Sequence, residues 1–125
     1  MRLLNLIIAL VLSGTAFAAN PTPVMVGGNE STDACMTLGA IKNSPGGKVN
    51  VYSSPDEDSV VIDSLKSGTY IMLCDSSGDN WTGIVYSGDD APFCGVTSPI
   101  ESRQPYKGEC KSGWMKSRMI DLLAG

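Results

Sequence analysis

The sequence predicts a small all-β fold in which short strands alternate with tight turns and disulfides add stability. Its apolar segments are short, as strands are, and no long stretch has the apolar spacing of a helix. Glycine, proline, serine and aspartate recur between these segments, a spacing typical of small barrels. Four cysteines are the third observation, because a chain of this size buries limited surface and benefits from cross-links.

The first eighteen residues have the composition of a cleavable export signal. Arg2 gives a positive start, residues 3–12 form a short apolar run, and Ala16-Phe17-Ala18 is a small-x-small cleavage site. The run is well below the ~20 residues that span a bilayer. We therefore expect a signal peptide over residues 1–18, cleavage near Ala18/Ala19, no later membrane insertion, and a periplasmic or secreted product.

The remaining chain predicts a flexible leader followed by one ordered domain. Residues 19–32 contain two prolines and the pair Gly27-Gly28 with few large apolar side chains, which is typical of a loose terminal segment. The ordered domain is expected over residues 33–125. The net charge of −4 argues against nucleic acid as a partner, because phosphate repels an acidic protein.

Five segments are predicted as strands, with turn-forming residues between them. These segments are residues 49–52, 60–62, 70–74, 81–86 and 114–116. Gly68 and Gly78 are expected in turns that need a positive φ, which glycine adopts at low cost. Residues 119–123 fit a closing strand at least as well as a helix, and no helix longer than one turn is predicted.

Residues 87–109 depart from this alternation of short strands and turns. They predict a long insert loop with a cysteine near each end. Cys35, Cys74, Cys94 and Cys110 are even in number and widely spaced, so they predict two disulfides with three possible pairings. We prefer Cys35 with Cys74 and Cys94 with Cys110. The second bond would close a loop of about 16 residues, worth ~3 kcal/mol on the chain-entropy model.

Several short motifs follow one another in a fixed order. Val49-Asn50-Val51-Tyr52-Ser53-Ser54-Pro55 is followed by residues 60–69, by Gly78-Asp79-Asn80-Trp81 and by Gly113-Trp114-Met115-Lys116-Ser117. This order resembles the bacterial SH3-like (SH3b) domain family, in particular a short exported subgroup with cysteines. The family pattern runs from V-x-V-R-S-x-P to a late G-W, and Tyr52 stands where the family has arginine. The resemblance covers residues 48–122 and implies a small SH3-like barrel with a disulfide-bounded insert.

The resemblance implies a binding module whose ligand is cell-wall peptidoglycan or its peptides. An aromatic groove would carry this binding, as in other SH3 folds, and packing in the core or at the rim is the alternative role for the two indoles. The second hypothesis is a periplasmic interaction, immunity or inhibitor protein that docks on a basic partner through the acidic insert. A purely structural role is the third. The candidate binding residues are Tyr52, Trp81, Tyr86, Tyr106 and Trp114.

The inventory of catalytic side chains predicts no enzyme, no metal and no cofactor. The chain has no histidine, which excludes Ser-His-Asp and Cys-His sites. Two Lys-Ser-Gly triplets, at residues 66–68 and 111–113, are similar to the K-T-G motif of penicillin-recognising enzymes. No S-x-x-K motif accompanies them, so both are expected to be turns. The acidic pairs that could serve a glycosidase, in residues 56–58 and 89–90, are expected to be solvated loops. Asp75, Asp79 and Asn80 supply too few oxygens for calcium.

Overall fold

The computed structural model describes residues 20–88 and 93–125, and the fold within them is all-β, as predicted. The expected export signal, residues 1–18, and the Asp89-Asp90 pair lie outside the described residues. A three-residue 3₁₀ turn, Ser117–Met119, precedes the last strand. The strands are β1 (Met25–Val26), β2 (Thr37–Ile41), β3 (Lys48–Tyr52), β4 (Val61–Lys66), β5 (Tyr70–Ser77), β6 (Trp81–Tyr86), β7 (Gln104–Pro105), β8 (Lys111–Lys116) and β9 (Ile120–Ala124).

Seven of these strands form one antiparallel sheet in the order β4-β3-β8-β6-β5-β2-β9. The sheet curls, because side chains from strands near both of its ends meet in one buried cluster. Val49 and Leu65 come from one end of the sheet, and Ile41 and Ile120 come from the other. No ladder joins β4 to β9 in the described part of the chain, so the sheet is curled rather than closed by hydrogen bonds.

Four of the five predicted strand segments fall within strands of the sheet, and residues 81–86 coincide with β6. The fifth, residues 60–62, begins one residue before β4. The continuous apolar run of β6 has a structural cause, since this central strand is buried on both faces. Along β6, Ile84 and Tyr86 point into the cluster inside the curl, whereas Val85 points into a second cluster on the outer face. We call these two clusters the inner core and the outer core. Residues 120–124 form the closing strand that the sequence favoured.

A cover layer, made by residues 20–35 and 93–110, lies over the outer core. Its strands β1 and β7 pair with each other, and it contributes Val24, Val26 and Val96, each at most 2% exposed. Trp114 and Val85 meet these side chains from the main sheet. The outer core is therefore built between the sheet and two segments, one that precedes β2 and one that connects β6 to β8.

This packing corrects the prediction that residues 19–32 form a flexible leader. The amide N–H of Thr22 donates to the Ser53 carbonyl at 3.0 Å, and its own carbonyl accepts the indole N–H of Trp114 at 2.8 Å. Val24 and Val26 are 2% exposed. The ordered domain therefore starts near residue 22 rather than 33. Two valines among prolines and glycines are a weak sequence signal, yet they alternate as a strand requires.

Both preferred disulfides are confirmed. Cys35 joins Cys74, which links the cover layer to β5, and Cys94 joins Cys110 across the base of the insert. Asp75 makes a further link, because its carboxylate accepts the Met25 amide N–H at 3.0 Å and pairs with Arg103 at 2.8 Å.

The two Lys-Ser-Gly triplets were both predicted to be turns, and the structure confirms this for one of them only. Residues 66–68 end β4 and enter a turn, where Gly68 has φ +85°. Gly78 also has a positive φ, of 58°. Residues 111–113, expected to be a turn, are instead the first half of β8. Gly113 serves close packing there, since a Cβ would lie 2.5 Å from Cγ1 of Val51.

Candidate functional site

Two of the predicted groove aromatics are buried and cannot stack on a ligand. Trp114 and Tyr86 are each 2% exposed. The Trp114 ring packs in the outer core, where its indole N–H is satisfied by Thr22, and Tyr86 packs in the inner core. The expectation that both line a binding groove is therefore wrong, and core packing, the alternative for Trp114, describes it correctly.

The hydroxyl of Tyr86 donates to Oδ2 of Asp63 at 2.9 Å. Burial, followed by this carboxylate, raises the pKa of Tyr86 far above its usual value. Burial raises the pKa of Asp63 as well, but the Ser64 amide N–H, the Tyr86 hydroxyl and the Lys111 ammonium outweigh it and hold that pKa below its usual value. Asp63 is therefore ionised at neutral pH.

Tyr106 also has a structural role. Its hydroxyl donates to the Cys94 carbonyl at 3.2 Å and accepts the Cys110 amide N–H at 3.1 Å. The ring thus spans the disulfide loop and packs on the outer core. Tyr106 lines neither the groove that opens beside Trp81 nor the smaller hollow beside Tyr52.

Tyr52 and Trp81 are the two predicted aromatics that the structure brings together. Their ring centroids lie 5.3 Å apart and the rings are perpendicular, which is a favourable edge-to-face geometry. Tyr52 ends β3 and Trp81 begins β6, and β8 lies between these strands. Trp81 also packs against the outer core, but both residues are only half-buried, so each keeps surface that a ligand can contact.

A groove of about 850 Å³ opens beside Trp81. One side is the acidic turn of residues 56–58, held in shape because the Asp58 amide N–H donates to Oδ1 of Asp56 at 2.8 Å. The lining also includes Pro55, Asp79, Asn80, Lys116, Ser117 and Arg118. The groove therefore combines an aromatic face with charges of both signs.

Lys116 and Glu57 form an ion pair at the rim of this groove. The hydrogen bond from Lys116, and then its charge, hold the pKa of Glu57 below its usual value. A general acid in glycoside hydrolysis needs the opposite shift. Glu57 is therefore ionised at neutral pH and orients the Lys116 ammonium.

A second hollow of about 220 Å³ lies beside Tyr52. It shares Lys116 and Arg118 with the groove, and Lys48 joins them. The remaining lining is Ser44, Pro45, Val49, Asn50 and Met119. We call this the basic hollow, since it is lined by three cations and by no carboxylate.

The sequence drew attention to the aromatics but missed the cations. Lys116 pairs in register with Trp81 across β6 and β8, and this register cannot be read from either segment alone. Lys48 is 68 positions from Lys116 in sequence. Asp75, considered above for calcium, instead binds the cover layer, and residues 20–88 and 93–125 contain no group of three or more potential metal ligands.

Fold and site define a small, disulfide-linked, all-β protein with a charged aromatic groove. Comparisons with protein-family models, with curated proteins and with solved structures find no match for this chain. Its two disulfides are typical of an oxidising, extracellular environment. Among the described residues, no helix is both long and apolar enough to cross a membrane.

Proposed function

We propose that this protein is an exported, non-catalytic binding module that recognises peptidoglycan peptides through the groove beside Trp81 and the adjoining hollow beside Tyr52. The pairing of these rings beside charges of both signs is the observation that carries the proposal. Wall peptides are short chains that present carboxylate and amino groups beside small apolar side chains. A groove with an aromatic face, an acidic turn and nearby cations offers a complement to each of these features.

The SH3b resemblance supports the same ligand class. Two of its motifs fall on β3 and β8, and these strands contribute to the site: Tyr52 at the end of β3 lines the basic hollow, and Lys116 at the end of β8 lines both the hollow and the groove. Tyr52, which replaces the family's arginine, lies against Trp81. The disulfides support export to the periplasm or beyond, with signal cleavage near Ala18/Ala19.

Residues 93–109, the part of the insert after the undescribed residues 89–92, are a less favourable docking element than the sequence suggested. Val96 is 1% exposed, and backbone bonds tie the insert to residues 24, 28, 34 and 35. A segment held down in this way covers the domain rather than projecting toward a partner. Docking on a periplasmic protein is therefore the less favoured function, and a periplasmic extract tests for it in parallel.

The experiment is retention of the mature oxidised chain, residues 19–125, on purified peptidoglycan sacculi, with periplasmic extract on an inert resin in parallel. We expect sedimentation with sacculi, and we expect Tyr52→Ala and Trp81→Ala to weaken it. Tyr70→Ala is the matched control, because Tyr70 is an exposed aromatic on β5 that lines neither hollow. Thermal unfolding of each variant separates lost binding from lost folding.

Two results would overturn the proposal. One is no retention of the folded wild type on sacculi, with one protein recovered from the extract instead. The other is retention that Tyr52→Ala and Trp81→Ala leave unchanged while both variants remain folded.

A further inference from the structure

The basic hollow stands out because the protein as a whole is acidic. The chain has 9 lysines and arginines against 13 aspartates and glutamates, yet three cations and no acid line this one small space. Cations placed close together repel one another. The fold tolerates that cost here without providing an anion of its own inside the hollow.

The cations are also largely free to bind a ligand. Lys48 and Arg118 are exposed and form no ion pair with any described residue. Lys66 lies opposite Lys48 in the β3–β4 ladder and adds further positive charge. Lys116 is held by Glu57 at the boundary between the hollow and the groove.

The hollow has the size and chemistry for a small anionic group next to an apolar one. Tyr52, Val49 and Met119 supply apolar wall, and Ser44 and Asn50 supply hydrogen-bonding groups. Its volume of about 220 Å³ suits one terminal residue of a peptide rather than a polymer. The acidic turn of residues 56–58 lines the groove but not the hollow, and it repels a carboxylate.

We propose that the basic hollow binds the free C-terminal carboxylate of the peptide, so that the peptide lies in one direction across Tyr52 and Trp81. This inference rests on the proposed function, and it adds which end of the ligand is recognised. The module would then prefer wall peptides whose terminal carboxylate is free over those in which that carboxylate is consumed in a cross-link.

The test compares one synthetic wall-stem tetrapeptide as the C-terminal acid and as the C-terminal amide, titrated into the mature oxidised protein. Lys48→Gln and Arg118→Gln remove charge from the hollow, and Lys107→Gln removes an exposed charge in the insert as the matched control. Contacts between exposed charges are weak. We therefore expect roughly two- to fivefold weaker binding of the acid for each hollow variant, and about tenfold for the pair.

The amide should bind wild type about as weakly as the acid binds the double variant, and added salt should reduce only the preference for the acid. Equal affinity for acid and amide, with binding intact, would overturn this inference and leave the proposed function standing. No binding of either peptide, in a protein that sacculi also fail to retain, would overturn both. Stronger competition by inorganic phosphate than by acetate at equal ionic strength would replace the carboxylate with a phosphate group.

Discussion

Val24 provides a sharp test of the cover layer, because the sequence alone places it in a flexible leader. Its side chain is 2% exposed, and its Cγ1 lies only 3.0 Å from where a Cβ on Gly83 would be. Val24→Ala removes two carbons from this contact, worth ~0.8 kcal/mol each for transfer. The cavity left behind brings the loss to about 2 kcal/mol.

The assay is thermal and urea unfolding of the mature protein with both disulfides intact. A loss of about 2 kcal/mol lowers Tm by roughly 8 °C in a domain of this size. Val60→Ala is the matched control, since Val60 is 57% exposed, and its effect should stay within about 0.5 kcal/mol. Equal, small effects of the two substitutions would refute the packing of residues 22–26 on the sheet.

Three further changes test other parts of the fold. Replacing Cys94 and Cys110 together by serine should cost ~3 kcal/mol in unfolding free energy, measured in urea; a loss below about 1 kcal/mol would contradict a cross-linking role. Gly113→Ala should cost about 1–3 kcal/mol, because the new Cβ meets Val51; an unchanged urea midpoint would contradict that contact. The pKa of Asp63 is lowered, so its contribution to stability is present above pH ~4 and disappears as the pH falls through the lowered pKa. Asp63→Asn should therefore flatten the acid-unfolding profile below pH ~4, and an unchanged profile would count against the Asp63 cluster.

The elements best predicted from sequence are those whose pattern is local. Residues 81–86 form a compact apolar run that coincides with β6. The closing strand after the 3₁₀ turn also follows from a short apolar pattern. For β6 the local pattern succeeds because burial on both faces makes a strand apolar at consecutive positions.

The features that were missed depend on contacts between distant segments. β2 was not predicted, because its sequence Thr-Leu-Gly-Ala-Ile is short and interrupted by glycine. Gly39 is needed there, since a Cβ would meet Leu73 at 2.7 Å. Trp114 is buried under the cover layer and donates its indole N–H to the carbonyl of Thr22, 92 positions away. No local pattern contains such a contact.

The candidate site was predicted in part for the same reason. Tyr52 and Trp81 were both named from the sequence, and the structure places their rings 5.3 Å apart. Tyr86, Tyr106 and Trp114 share their aromatic chemistry but are committed to the cores or to the disulfide loop. An aromatic composition shows which residues could bind a ligand, whereas burial decides which of them can.

The most direct test of the central claim uses the two tryptophans as internal reporters. The chain contains only two, one in the groove and one in the outer core, so a two-dimensional NMR spectrum of the mature protein has two indole N–H signals. On titration with soluble peptidoglycan peptides, we predict that the Trp81 signal shifts and saturates while the Trp114 signal stays in place. Two unchanged signals at saturating peptide, or a shift of Trp114 without Trp81, would contradict binding at the groove.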